Sequence, residues 1–220
     1  MDFEIIAKQL ANPSGEFGID VAKGMNKMNR FISKSTYDLL HIKNRDAVLE
    51  IGLGNGKFID YIIAQANQIS YTGIDISETM IAEAKRINRN LINKKAIDLF
   101  HADIEKIPVW DETFHKVCTV NTIYFWKNPV KALKEIYRVL KPNGILIVSF
   151  RPYIEGQTLD FSNYGFKEYR SEDFNLVIQE TSFKLIEIIN KKEPEVLFNG
   201  QTHHLTSQYF IIKKLPLNWY

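Results

Sequence analysis

The chain has 220 residues, 45% of them apolar and 25% charged, with a formal net charge of +2. That length suffices for one large domain with its own core, and the near-neutral charge gives no compositional argument for a nucleic-acid partner. A single cysteine, Cys118, excludes an internal disulfide framework, and no apolar stretch approaches the roughly 18 residues that a bilayer span needs.

The start, MDFEIIAKQL, lacks the basic, long apolar and small-residue zones of a secretory signal. With the lone cysteine, this points to a cytoplasmic protein without a membrane partner. No repeat, low-complexity tract or Pro/Gly/Ser-rich linker divides the chain, so one domain over 1–220 is expected.

Residues 21–40 read as an amphipathic helix with Val21, Met25, Met28, Ile32 and Leu39 on one side, placed to fold over the mouth of a sheet. Asn26 and Asn29 lie on another face, where two amides could hold a carboxylate. AVLEIG (47–52) is a strand that runs through GLGNG into a helix with Phe58, Ile62 and Gln65/Ala66 along one face. YTGIDI (71–76) is a second strand, followed by a helix whose Met80, Ala84, Ile87 and Leu91 share a face and which Ser77 caps. AIDLFHAD (96–103) is a third, with a loop and no strong helix behind it. HKVCTVN (115–121) is a fourth. Asn128 and Pro129 then open a helix that buries Leu133, Ile136, Tyr137 and Leu140. KPNG stops that helix and feeds ILIVSF (145–150). A helix near 171–182 precedes KLIEIINKK and QYFIIKKL, which are too close in sequence for a covered crossover and so form an edge hairpin.

Alternation of apolar strands with helices predicts a parallel sheet covered on both faces, and such sheets bind ligands beyond the carboxyl ends of their strands. Four ends carry suggestive groups. Gly52, Gly54 and Gly56 allow a tight turn and close backbone approach, and Glu50 is an odd residue for a strand end unless a donor meets it. Asp75, at the end of the second strand, is placed to accept from two ribose hydroxyls, although a helix N-terminus also favours a carboxylate. Asp103 could receive an adenine amino group while Ile76 and Ile104 cover the ring. Asn121, Tyr124, Phe125 and Trp126 lie over the mouth, as site lining or as hydrophobic cover. The loop RPYIEGQTLDFSNYGF, with Tyr153, Phe161, Tyr164 and Phe166, is the first choice for substrate cover.

In this order the set resembles the class I S-adenosylmethionine-dependent methyltransferases, in particular the small-molecule branch (methyltransferase type 11-like) related to quinone and sterol methylases. VLEIGLGNG is similar to the family's first motif, and ALKEIYRVLKPNGILIV to its helix–turn–strand after the fourth strand. The resemblance covers about residues 45–150. It implies a three-layer α/β, Rossmann-like fold with a mostly parallel seven-stranded sheet and an antiparallel C-terminal edge hairpin. Residues 1–44 would be a helical cap, 45–150 the cofactor-binding core, and 151–220 the substrate loop, helix and hairpin.

The implied cofactor is S-adenosyl-L-methionine, held by Glu50 through its amino group, by Asp75 at the ribose and by Asp103 at the adenine. Gly52, Gly54, Asn55, Gly56, Ile76, Met80, Ile104 and Asn121 complete that set. Leu53 stands where Cys is usual and Asn55 where Thr or Ser is common. IYFW replaces a more polar or histidine-containing segment next to the reactive methyl.

Tyr124, Trp126 and Tyr153 are the candidate substrate contacts. Tyr124 and His203 are the weak candidates for a catalytic group, and no metal site is expected, because adjacent His203 and His204 in an extended segment point opposite ways. The expected acceptor is a small organic molecule, methylated by in-line displacement with catalysis mainly by positioning. Two alternatives stand: a cofactor-binding sensor or scaffold without turnover, and a nicotinamide-dependent oxidoreductase. The second needs a glycine where Lys57 stands.

Overall fold

Apolar runs at 47–51, 114–120 and 145–150 are stable only with both sheet faces covered. The computed structural model of the protein describes residues 3–153, 164–198 and 200–216, and both faces are covered in it. The strands are β1 (Ala47–Ile51), β2 (Ser70–Asp75), β3 (Ile97–His101), β4 (Phe114–Val120), β5 (Leu140–Phe150), β6 (Phe183–Lys192), β7 (Val196–Phe198), β8 (Gln201–His203) and β9 (Thr206–Lys214). Seven of them form one sheet in the order β3-β2-β1-β4-β5-β9-β6, while β7 and β8 pair separately. The first five pair in parallel, and β9 runs antiparallel to both β5 and β6. This is the expected three-layer α/β sheet with an antiparallel C-terminal edge.

Three helices precede the sheet: α1 (Phe3–Ala11), α2 (Gly15–Met28) and α3 (Arg30–Leu39). The others are α4 (Ile59–Ile63), α5 (Glu78–Ile87), α6 (Arg89–Asn93), α7 (Pro129–Val139) and α8 (Ser171–Gln179). Strand side chains alternate between two layers. Val48, Cys118, Ile147 and Tyr209 face α3, α4 and α5, and Leu49, Val117, Leu146 and Phe210 face α7 and α8. The expected caps are present: Ser77 Oγ accepts the Met80 N–H at 3.0 Å, and Asn128 Oδ1 accepts the Lys131 N–H at 2.9 Å. No helix among the described residues is long and apolar enough to cross a membrane.

Four expectations change. KPNG, read as the stop between helix and strand, lies inside β5, which begins at Leu140. The helix read over 21–40 is two, α2 and α3, which meet at Asn29, where the backbone leaves helical geometry. The helix after β2 breaks at Asn88, whose side-chain amide donates to the carbonyls of Ala84 (2.9 Å) and Gly56 (3.1 Å) and so ties the helix end to the glycine loop. The buried face of α5 is Met80, Ile81 and Ala84, and Ile87 is exposed. Finally, the β6–β9 connection holds the β7–β8 hairpin, too short to show a period. Of the aromatic loop after β5, residues 154–163 lie outside the described residues.

Candidate active site

Chain order reverses between β1 and β4, which both neighbour strands on opposite sides, and a crevice opens above their carboxyl ends. The turn after β1 holds Gly52, Gly54 and Gly56, all at positive φ. At Gly52 (φ +73) a Cβ would come within 2.3 Å of Thr122 Cγ2, so only glycine lets this turn pass the second residue after β4. The Gly52 N–H donates to the Ile74 carbonyl at 2.8 Å, and the Gly54 N–H donates to Asp75 Oδ2 at 2.9 Å. Asp75 Oδ1 accepts the Ser77 N–H at 2.9 Å, so one carboxylate joins the glycine turn to the start of α5. Burial raises the Asp75 pKa, and the backbone donors pull it back.

The donor that Glu50 needs turns out to be two tyrosines. Tyr37 from α3 donates to Oε1 at 2.7 Å, and Tyr71 from β2 donates to Oε2 at 2.6 Å. Burial raises the Glu50 pKa, and the two hydroxyls oppose that rise.

The crevice is a cavity of about 1060 Å³, at the upper end of small-ligand sites, which run to about 1,000 Å³. Glu50, Gly52, Gly54, Asn55, Asp75, Ile76, Met80, Asp103, Ile104 and Asn121 all line it, as do Tyr124, Trp126, Tyr153 and His203. Gly56 does not; it packs against Asn88, Ala84 and Ile59. Asp103 Oδ1 accepts the Glu105 N–H at 2.9 Å, which shapes the turn after β3.

Tyr124 stacks on Phe166 at 4.3 Å between ring centroids, and Phe125 meets the same ring edge-on at 5.2 Å. The Tyr124 hydroxyl accepts the Arg151 N–H at 2.8 Å and lies 2.9 Å from the Arg151 carbonyl and 3.1 Å from Asn121 Oδ1. Burial holds its pKa well above the usual value. Trp126 Nε1 donates to Thr122 Oγ1 at 3.0 Å, which leaves its ring as the group the cavity meets. His203 and His204 both line the rim, with His204 Nδ1 3.3 Å from Glu195.

The roof comes from the N-terminal helices. Ser77 Oγ bonds the Pro13 carbonyl, and the α2–α3 junction is held by Arg151. That guanidinium donates to the Met28 carbonyl (2.7 Å), to Asn29 Oδ1 (3.0 Å) and to both oxygens of the buried Glu193 (2.7 and 3.0 Å). Asn121, left-handed at φ +54, donates to the same Asn29 oxygen at 3.1 Å. Sequence reasoning singled out Asn29 but missed Tyr37, Tyr71, Arg151 and Glu193. The signal was available only for Tyr71, which shares a sheet face with Glu50 once the β1–β2 register is known.

The arrangement can hold a ligand with a cationic end at Glu50 and hydroxyls at Asp75, beside an aromatic wall. Comparison with known proteins identifies the family of the chain. A family model described as a methyltransferase domain matches residues 49–148. Two proteins of Bacillus subtilis (strain 168) align with 56% of this chain. The putative methyltransferase YrhH is 34% identical over 123 residues, 67% of its length, and the uncharacterized methyltransferase YdaC is 31% identical over 124 residues, 66% of its length. The alignment therefore spans about two thirds of either relative. A SAM dependent methyltransferase from Aquifex aeolicus has the same fold, with a TM-score of 0.64 at 18% identity over 96% of this chain and 98% of its own.

Proposed function

Because the chain belongs to the class I S-adenosylmethionine-dependent methyltransferases, we propose that it methylates a small organic acceptor with an aromatic or apolar part. The supporting observation is one cavity that combines the polar frame of Glu50 and Asp75 with the aromatic wall of Tyr124, Phe125, Trp126 and Phe166.

The residues present fit the cofactor. Glu50 is a buried carboxylate with hydroxyl donors and, among the described residues, no cation beside it, which suits an ammonium group. Asp75 spends one acceptor position of each oxygen on the backbone and keeps the others for ribose hydroxyls. Asp103 would meet the adenine amino group, with Ile76, Met80 and Ile104 as apolar cover. When bound, S-adenosylmethionine supplies an electrophilic methyl group on a positively charged sulfur. The chain's own part is to hold the acceptor in line and exclude water. The Tyr124 hydroxyl is engaged with the Arg151 backbone, so its ring is the working surface. Aromatic faces such as Tyr124 and Trp126 attract a nearby cation by roughly 0.5–2 kcal/mol. Catalysis by position needs no strong base unless the acceptor must lose a proton. A cytoplasmic location is part of the same proposal.

The test is incubation with methyl-labelled S-adenosylmethionine and fractionated cell extracts. Label in a small-molecule fraction is the expected result, and label in RNA or protein alone would overturn the acceptor class. Tight cofactor binding with no turnover against any fraction would make the protein a sensor or scaffold. Binding of a dinucleotide in place of S-adenosylmethionine would restore the oxidoreductase.

A further inference from the structure

Glu50 is 5% exposed, and Tyr37 and Tyr71 are each 1% exposed. Among the described residues, the titratable groups that face the carboxylate are Tyr37 from α3, Tyr71 and Asp75 from β2, and Cys118 from β4. None of them is a cation. A buried carboxylate without a countercharge is costly, and each hydrogen bond to it offsets part of that cost. Here each oxygen takes one hydroxyl, and a carboxylate has about four acceptor positions, so about two remain.

The sheet is built to allow this. Glu50 pairs with Gly73 across β1–β2, and Tyr71 lies two residues back on the same face. A Cβ at Gly73 would stand 3.0 Å from the Tyr71 hydroxyl, so the missing side chain is what leaves room for it beside Glu50. Tyr37 and Glu50 line the cavity, whereas Tyr71 is not among the lining residues.

We propose that Tyr37 and Tyr71 are positioning residues that clamp the Glu50 carboxylate toward the cavity, so that recognition of the cofactor's ammonium group depends on two hydroxyls, one of them supplied by the N-terminal helices. The inference rests on the methyltransferase reading of the cavity. Tyr71 is the informative member, because it acts through Glu50 and not by contact with the ligand.

Titration calorimetry of S-adenosylhomocysteine and of 5′-methylthioadenosine, which lacks the amino-acid end, separates the possibilities. In Tyr71→Phe and Tyr37→Phe, S-adenosylhomocysteine should bind roughly tenfold or more weakly, the scale of a lost hydrogen bond to a charged group. Methylthioadenosine should change less than about twofold, which also reports that the variants are folded. Equal losses for both ligands, or no loss for either, would overturn the clamp while leaving the methyltransferase reading intact. Wild type that binds neither ligand would overturn the reading of the cavity and the clamp together.

Discussion

Gly52 and Glu50 both line the cavity, and single substitutions there have effects of definite sign. Gly52→Ala adds a left-handed backbone penalty of roughly 1–2 kcal/mol and pushes a Cβ to within 2.3 Å of Thr122. A melting temperature lowered by about 2–8 °C is expected from the backbone penalty alone, at roughly 2–4 °C per kcal/mol for this size. Loss of S-adenosylhomocysteine binding should accompany it, and wild-type affinity in the variant would show that Thr122 yields. Glu50 makes a prediction with a definite sign. Its folded pKa is raised by burial, so between the unfolded value, about 4.3, and the folded one the native state holds the extra proton. Stability therefore falls as pH rises through that window, and the loss is complete above it. Glu50→Gln removes this loss. The ligand-free variant should melt above wild type once the pH has passed the window, and the gap should close as pH falls through it. A gap independent of pH would mean that Glu50 is not the group being titrated.

The elements divide by how local their signals are. β1 to β5, the glycine turn and the caps at Ser77 and Asn128 were readable because periodicity, turn residues and caps act over a few positions. The break at Asn29 was not, because it is held by Asn121 and Arg151 from distant strands. The pair between Arg151 and Glu193 was hidden for a similar reason. The two lie 42 residues apart and meet only through β9, whose Ser207 bonds Glu193. The glycine turn and the carboxylates at the strand ends were legible as a motif, while the Tyr71 contact required a register that one sequence does not display. The Arg151 network also predicts its own energetics. Arg151→Met strands Glu193, whose side chain is fully buried, while the guanidinium itself keeps 20% exposure. A cost somewhat below the 3–5 kcal/mol typical of a broken buried pair is expected, about 2–3 kcal/mol. In urea unfolding, Arg151→Met with Glu193→Met should recover part of that loss, since removing both charges leaves neither unpaired. A double variant as unstable as the sum of its parts would show that the pair is not acting as one unit.

For the whole molecule, the cavity is shared by segments from distant parts of the chain. Its floor is the β1, β2 and β4 ends, its roof is α1 and α2, and its far rim is β8 with the turn that follows. The roof is joined to the floor by a few polar ties, at Pro13 to Ser77, at Gly15 to Thr79 and at Met28 and Asn29 to Arg151. Local opening of such a roof costs less than global unfolding, so its amides should exchange faster than those of the buried sheet. A ligand that touches floor and roof together must slow both. Saturation with S-adenosylhomocysteine at 100 times its dissociation constant stabilises the native state by about 2.7 kcal/mol, which corresponds to a melting shift of roughly 5–10 °C. Hydrogen exchange under the same conditions should show protection at 3–39 as well as at the glycine turn. Protection confined to residues 50–56 and 73–80 would mean that the ligand seats on the floor alone. In that case Tyr37 would hold Glu50 without help from ligand closure, and the N-terminal helices would belong to acceptor access and not to cofactor retention.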